Sequence, residues 1–403
     1  MTMPAPATGR FMHLAVALDG AGWHPAAWRE PGARPADLLT GGYWAELAAE
    51  AEAGRVDFVT FEDSLGLQSA SRYEPDERTD QVRGRLDAVL IAARVAPLTR
   101  HIGLIPTVVV THTEPFHISK AIATLDYVSA GRAGVRVRVS ASAADAALFG
   151  RRSVAESPGP DDLAGQRLID DLFGEAADYV EVIRRLWDSW EDDAEIRDVA
   201  TGRFVDRGKL HYIDFEGRQF SVRGPSITPR PPQGQPVVAA LAHTAAPLAL
   251  VGASADIGFV TPRGPGHARE LVDTIRAAQV AAGRDRETVH VFADLLVYLD
   301  PTPGQALARR ARLDELTGSE YLSDAHTFAG TPAQLADLMQ DWQAAGLAGF
   351  RLRPATIPHD LTQITRALVP ELQRRSSFPH EYTSATLRGL LGLPRPVNRF
   401  AAA

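Results

Sequence analysis

Short apolar runs alternate with amphipathic stretches along most of the chain. Phe11 to Leu18 is an apolar run that ends in Asp19, Gly20 and Gly22, the pattern of a buried strand running into a loop. Tyr43 to Ala53 is alanine-rich and amphipathic and stops at Gly54, which predicts a helix. Val56 to Phe61 predicts the second strand and Leu86 to Val95 the second helix, ending at Pro97. Ile102 to Val110 reads as strand three. A helix follows from Pro115 to Val128, proline suiting a first helical turn because its missing N–H has no partner there anyway. Val135 to Val139 reads as strand four.

The rhythm then breaks. Residues 141–235 hold a loop rich in Ser, Pro and Asp, a long helix near Leu163 to Trp190, and a polar excursion. In that excursion Leu210 to Phe215 and Gln219 to Arg223 flank Glu216-Gly217-Arg218, a hairpin signal with glycine in the turn. Strands resume at Val237 to Leu241, Ile257 to Thr261, Val289 to Leu299 and Gly349 to Leu352, with helices between them. The tail from Pro370 has a short helix and several prolines.

Nearly continuous Val/Ile/Leu/Ala/Phe strands fit a parallel sheet covered on both faces. Eight of them, each followed by a helix, predict an α/β fold, a (β/α)8 TIM barrel, which uses about 250 residues plus insertions. The expectation is a single barrel domain over 1–403, with a large insertion after strand four at 141–235 and a C-terminal extension at 370–403. A doubly wound open sheet is the rival, but Asp19-Gly20-Ala21-Gly22-Trp23-His24 lacks the third glycine of a dinucleotide turn and opens no helix. P-loop, Gly-x-Ser-x-Gly and His-Glu-x-x-His patterns are also absent from the sequence.

Composition narrows the class of function. With 42 Lys and Arg against 50 Asp and Glu the net charge is −8, which argues against a nucleic-acid surface. There is no cysteine, so disulfides, thiolate metal sites and cysteine nucleophiles are excluded. No apolar run approaches the ~20 residues of a membrane helix. The first ten residues lack the apolar core of a signal peptide, and a cytoplasmic protein is expected.

In a (β/α) barrel the chemistry sits at the C-terminal strand ends. Those ends carry Asp19, His24 and Trp28; Glu62, Asp63 and Ser64; Thr107, Thr111 and His112; Arg136, Arg138 and Ser140; His243 and Thr244; Thr261 and Arg263; Asp300; and Arg351 and Arg353. No metal-ligand spacing emerges. His112 and His117 straddle Pro115 and read as a loop histidine and a helix-surface histidine. Arg136, Arg138 and Ser140 share one face of strand four by its period of two. Valines against the helices turn both arginines inward, toward an anion or a structural ion pair with Asp63 or Glu62.

Several stretches resemble a known family. Thr111-His112-Thr113-Glu114-Pro115-Phe116-His117 and the run from Ala123 to Gly134, ATLDYVSAGRAG, are similar to the signature of bacterial luciferase-like flavin monooxygenases. Leu186 to Asp193, Val222 to Pro225 leading to Pro232–Val237, Phe328 to Pro332 with Ala344 to Phe350, and Thr386 to Pro394 extend the similarity. The nearest branch is that of the nitrilotriacetate and dibenzothiophene-sulfone monooxygenases. The resemblance implies a barrel that takes reduced FMN from a separate NAD(P)H:flavin reductase and uses dioxygen to oxidise a small organic substrate. It also implies a homodimer.

Carried over by position, the resemblance implies that Asp63, Thr107 and Thr244 bind the flavin, the last at its phosphate. Where the family has Trp-Asn-Val-Val-Thr-Ser, this chain has Val135-Arg136-Val137-Arg138-Val139-Ser140, which places Arg136, Arg138 and Ser140 among the cofactor-binding candidates. His24, between Trp23 and Trp28, is the candidate for handling a proton, since histidine titrates near neutrality. Phe173 stands where the family has a tyrosine, and Ala245-Ala246-Pro247 replaces a glycine-bearing turn. These departures keep two alternatives open: a deazaflavin-dependent oxidoreductase of the same barrel superfamily, and a non-catalytic flavin-binding barrel.

Overall fold

The computed structural model describes residues 11–69, 76–154 and 163–401. In it the eight apolar runs close into one barrel: β1 (His13–Leu18), β2 (Phe58–Phe61), β3 (Gly103–Val109), β4 (Gly134–Arg138), β5 (Val237–Ala242), β6 (Ile257–Val260), β7 (His290–Leu299) and β8 (Gly349–Pro354). Each strand pairs in parallel with the next, and β8 pairs with both β7 and β1 to shut the ring. The outer helices are α1 (Gly41–Ala53), α2 (Ala88–Val95), α3 (Pro115–Val128), α4 (Ala143–Phe149), α5 (Leu163–Asp188), α6 (Ala245–Ser254), α7 (Pro265–Ala281), α8 (Pro303–Thr317) and α9 (Pro332–Gln343).

The excursion between β4 and β5 carries α4, α5 and two small antiparallel pairs, Glu195–Asp198 with Arg203–Val205 and Phe215–Glu216 with Ser221–Val222. The second pair sits on the hairpin signal; the first was not anticipated. Residues 155–162 of the excursion lie outside the described residues. A further strand, His326–Gly330, was not anticipated. It pairs in parallel with the upper half of β7, outside the ring. Strand β7 is ten residues long, so its lower half serves the barrel and its upper half has edge left over.

Alternation along each strand sorts side chains into two cores. Leu14, Val16, Leu18, Val59 and Phe61 face the helices. Ala15, Phe58, Ile105, Ala239, Ile257, Phe259 and Phe292 fill the barrel interior. The tail completes that inner core. Leu387, Leu391 and Leu393 plug the N-terminal end of the barrel, and His290 Nε2 lies 2.8 Å from the Leu391 carbonyl.

The signature stretch 123–134 belongs to this same lower end. Asp126 is buried and accepts hydrogen bonds from the Ala133 N–H, the Gln233 N–H and the Gln233 side chain; burial pushes its carboxyl up to about 6. Arg132 donates to the carbonyls of Ala96, Thr99, Ser129 and Ile102. These residues build the scaffold and stand away from the strand ends that carry chemistry.

Close packing at the plug requires glycine at the foot of β3. A Cβ on Gly103 falls 2.5 Å from Leu387 Cδ1 and 2.8 Å from Phe58 Cβ, and the latter is tied to its own backbone. Gly103→Ala is expected to cost about 1–3 kcal/mol by overpacking. Urea unfolding of the variant beside the parent protein measures it.

Candidate active site

Above the apolar inner core, the same inward positions turn polar. Thr60 on β2, Thr107 on β3, Arg136 on β4, Asp294 on β7 and Arg351 and Arg353 on β8 are all buried, and Glu62 follows β2. Sheet register sets their pairing: Thr107 is opposite Arg136, and Asp294 is opposite Arg351. Arg136 donates to Thr107 Oγ1 at 2.9 Å and to Glu62. Arg351 donates to Asp294 at 2.8 and 2.5 Å and to Glu62 at 3.2 Å. Arg353 donates to Asp294 at 2.9 Å and to Asp324 at 2.5 Å.

Three guanidiniums thus meet three carboxylates. Burial alone would raise the carboxyls of Glu62 and Asp294, but the adjacent arginines outweigh it and hold both below the ordinary range. Burial pushes Arg136 down to about 10, still well above neutrality. The layer is fully ionised and charge-balanced at neutral pH. Its outer edge reaches His243, whose Nε2 is 3.4 Å from Asp324 and whose Nδ1 is 2.8 Å from Thr261 Oγ1.

The candidates from sequence fall into separate surroundings. Thr107 and Arg136 join the buried layer. Asp63 and Arg138 meet just above it, where Arg138 donates to the Asp63 carbonyl at 2.7 Å. The Asp63 carboxylate accepts from the N–H of Ser64 at 2.7 Å and from that of Ala88, the first residue of α2, at 3.0 Å. Burial raises its pKa. Arg138 departs from the expectation of two inward, buried arginines: β4 ends at this residue, and its side chain is exposed. Ser140 donates to Asp145 of α4 at 2.7 Å, and its N–H bonds Thr111 Oγ1 at 2.9 Å.

His24 is buried, with Nδ1 accepting from the Ala26 N–H at 3.0 Å and Nε2 lying 3.2 Å from Asp314. Its ring packs edge-on against Tyr298 and Tyr321 rather than between two tryptophans. Trp23 instead lies under the Arg353 guanidinium, 4.4 Å from carbon to ring centroid. Thr244 is exposed at the start of α6, and its hydroxyl caps no backbone N–H.

Sequence reasoning missed Asp294 and Asp324. Asp294 had a readable signal: it is the one charged residue inside the apolar run Val291 to Leu299. Asp324 had none, since it enters the layer from a loop distant in sequence.

Tested against a flavin, the residues present fit its phosphate end. The N-terminus of α6 offers the Ala245 and Ala246 N–H groups and a Thr244 hydroxyl that caps no N–H and bonds no other described residue, a suitable cradle for an anion. Pro247 removes one donor that a longer N–H array would supply.

Comparison with known proteins follows the same lines. A family model described as Luciferase-like monooxygenase matches residues 23–322. N-acetyl-S-(2-succino)cysteine monooxygenase of Bacillus subtilis (strain 168) is 32% identical, over 96% of this chain and 98% of that protein. Nitrilotriacetate monooxygenase component A of Aminobacter aminovorans is 28% identical over 97% of this chain and 98% of its own length. Among solved structures, riboflavin lyase with modified FMN and riboflavin superposes with a TM-score of 0.83 at 24% identity, covering 97% of this chain and 98% of that one.

Two predictions follow from the charges. Glu62→Gln removes a carboxylate shared by Arg136 and Arg351, leaving Arg136 buried with only Thr107; a loss of about 3–5 kcal/mol in denaturant unfolding is expected. For His24, burial lowers the folded pKa below its ordinary value of 6.5, so the unfolded chain takes up a proton first as pH falls. The stability from neutral His24 is present above about pH 6.5 and is lost as pH drops toward the lowered folded value. Melting temperatures of His24→Gln are expected to fall less steeply between pH 7 and pH 5 than those of the parent protein.

Proposed function

The chain belongs to the luciferase-like monooxygenases, a family of reduced-flavin-dependent oxygenases, and on that premise we propose that it takes reduced FMN from a separate NAD(P)H-dependent reductase and oxygenates a small organic anion. The observation that carries the cofactor assignment is the open cradle at Thr244 and α6. FMN in the structurally similar riboflavin lyase supports the same choice, and the designation of the nitrilotriacetate relative as component A supports a separate electron-supplying component. When bound, reduced flavin supplies the electrons with which dioxygen oxidises the substrate.

The chain's own residues bind, orient and exclude water. Thr244 with the Ala245 and Ala246 amides would hold the phosphate. The Thr107–Arg136–Glu62 group and its arginine partners form a rigid, electrically neutral floor that needs no solvent to satisfy it. Asp63 ties the loop after β2 to the start of α2 and so fixes the carbonyl that aims Arg138. Ser140 orders α4 at the edge of the mouth through Asp145. His24 is a positioning residue in this reading, because both of its nitrogens are engaged in holding the loop after β1 against Asp314.

Arg138 points to the substrate class. Its guanidinium is exposed at the mouth, and among the described residues it donates to a carbonyl rather than to a carboxylate. A bidentate carboxylate of the substrate fits that vacancy in charge. Two relatives carry the names of carboxylate-bearing compounds, N-acetyl-S-(2-succino)cysteine and nitrilotriacetate, which supports an anionic substrate here. A cytoplasmic homodimer completes the proposal, on family resemblance.

The deciding experiment is titration with reduced FMN and with reduced deazaflavin, followed by thermal stability and oxygen uptake. Stabilisation by reduced FMN with oxygen-dependent turnover is expected. Binding of reduced deazaflavin alone, with oxygen-free hydride transfer, overturns the reading in favour of the deazaflavin alternative; binding of neither favours a barrel without turnover. Thr244→Val is expected to weaken reduced FMN by roughly tenfold, the worth of one hydrogen bond to a charged group, while leaving reduced riboflavin unchanged. Arg138→Leu is expected to raise the KM for a carboxylate substrate at least about tenfold with little change in flavin affinity; equal KM values for parent and variant count against an anionic substrate.

A further inference from the structure

We propose that His112 contacts the substrate: its Nε2 hydrogen-bonds a neutral polar group, a carbonyl, sulfoxide or hydroxyl oxygen, in a subsite covered by α4. The inference deepens the preceding reading and rests on it for the existence of an organic substrate. His112 lies in the turn between β3 and α3, at the end of the barrel where the arginine layer opens. The residue is only 7% exposed, and its Nε2 is buried with no hydrogen-bond partner among the described residues. The other two such atoms among the described residues are the Ser119 hydroxyl, on the buried face of α3, and the Tyr298 hydroxyl, in the apolar cluster with Leu313 of α8. His112 alone of the three stands in a loop of the barrel mouth.

A buried imidazole nitrogen left unbonded costs about 1–3 kcal/mol, so the arrangement calls for a visiting partner. The groups whose charge reaches the ring are Arg152, Asp145 and Glu175. Arg152 is already committed to both Glu175 oxygens, at 2.7 and 2.5 Å, and Asp145 accepts from Ser140. One positive and two negative charges leave an excess of one negative, which disfavours an anion beside the ring. Burial and Arg152 both oppose protonation, so the ring is neutral and offers one N–H and one lone pair. That chemistry suits a neutral polar group, in contrast to the cationic Arg138.

The cover is light. Phe149, the last residue of α4, stacks on the imidazole with centroids 5.2 Å apart and planes 9° from parallel, yet is itself 39% exposed. Helix α4 has seven residues and buries only Ala146. Little apolar area therefore holds Phe149 down, and an incoming ligand displaces it cheaply.

The test uses the full chain without flavin, labelled with ¹⁵N-histidine and titrated at neutral pH with acetamide, dimethyl sulfoxide and acetate. Loss of the signals in His112→Gln assigns the ring nitrogens of His112. Saturable movement of the Nε2 resonance with acetamide and dimethyl sulfoxide is expected, with acetate roughly tenfold weaker because of the excess negative charge. Phe149→Ala, which removes the cover without touching the histidine, is expected to tighten both neutral ligands. No saturable response in either the parent or Phe149→Ala overturns the proposal, as does acetate binding as tightly as acetamide. Because no flavin is present, a protein that binds reduced FMN but gives no response keeps the proposed function and loses this subsite; the reverse result does the opposite.

Discussion

Burying five ionised side chains in the upper barrel, with Asp324 closing the layer from its exposed edge, is the constraint around which the rest of this structure is arranged. A guanidinium or carboxylate taken out of water costs several kcal/mol unless its partner is in place. Glu62, Asp294 and Asp324 have to be delivered to Arg136, Arg351 and Arg353 from different parts of the chain, and only a closed sheet in the correct register does so. A slip of one residue in β4 or β8 would turn its arginines outward and put valine, phenylalanine or leucine in their place. The layer contributes less to net stability than well-packed apolar side chains of equal volume would. What it specifies is a single register, and with it the positions of every strand end at the mouth.

That requirement explains a division of labour along the chain. The lower barrel is apolar and is plugged by the tail, with Leu387, Leu391 and Leu393 filling the space beneath Phe58 and Ile105. The most recognisable motif, ATLDYVSAGRAG, works at that end, through Asp126 and Arg132. The stretches that depart from the resemblance lie elsewhere: on β4, at Phe173 of α5 and at the start of α6. A motif can therefore identify the scaffold strongly while saying little about the site, because its residues answer to packing and backbone hydrogen bonding and not to the ligand.

Legibility in the sequence follows the same physics. The eight barrel strands were readable because each carries an apolar run, on both faces in most and on one face in β4 and β8, bounded by loop residues, and the long helix α5 was readable as one long stretch. The strand His326–Gly330 was not, since it lies outside the ring and its half-exposed residues carry no apolar run. On β4, alternation correctly placed Arg136 inside. It misjudged Arg138, because alternation assigns a face but cannot say where the barrel wall ends. Of the arginines' partners, Glu62 was anticipated for Arg136, but Asp294 and Asp324 were not: Asp294 is 57 residues from Arg351 and Asp324 is 29 from Arg353, separations that only the closed topology brings to hydrogen-bond range.

Charge balance then separates what is structural from what is available. Each buried arginine of the mouth has a carboxylate, and Arg85, just outside the layer, has Asp19 at 2.7 Å. Arg138 has the Asp63 carbonyl, a partner that orients a guanidinium without neutralising it. The Asp63 carboxylate is spent on the backbone N–H groups of Ser64 and Ala88. A chain selected only for stability would more simply end β4 in an uncharged residue, since an exposed, unpaired arginine adds little to folding. An exposed arginine held only by a carbonyl is consistent with the substrate contact proposed for it. The contrast with His112, neutral and flanked by excess negative charge, gives the mouth two edges of opposite preference, and a substrate with one charged and one neutral polar end would meet both.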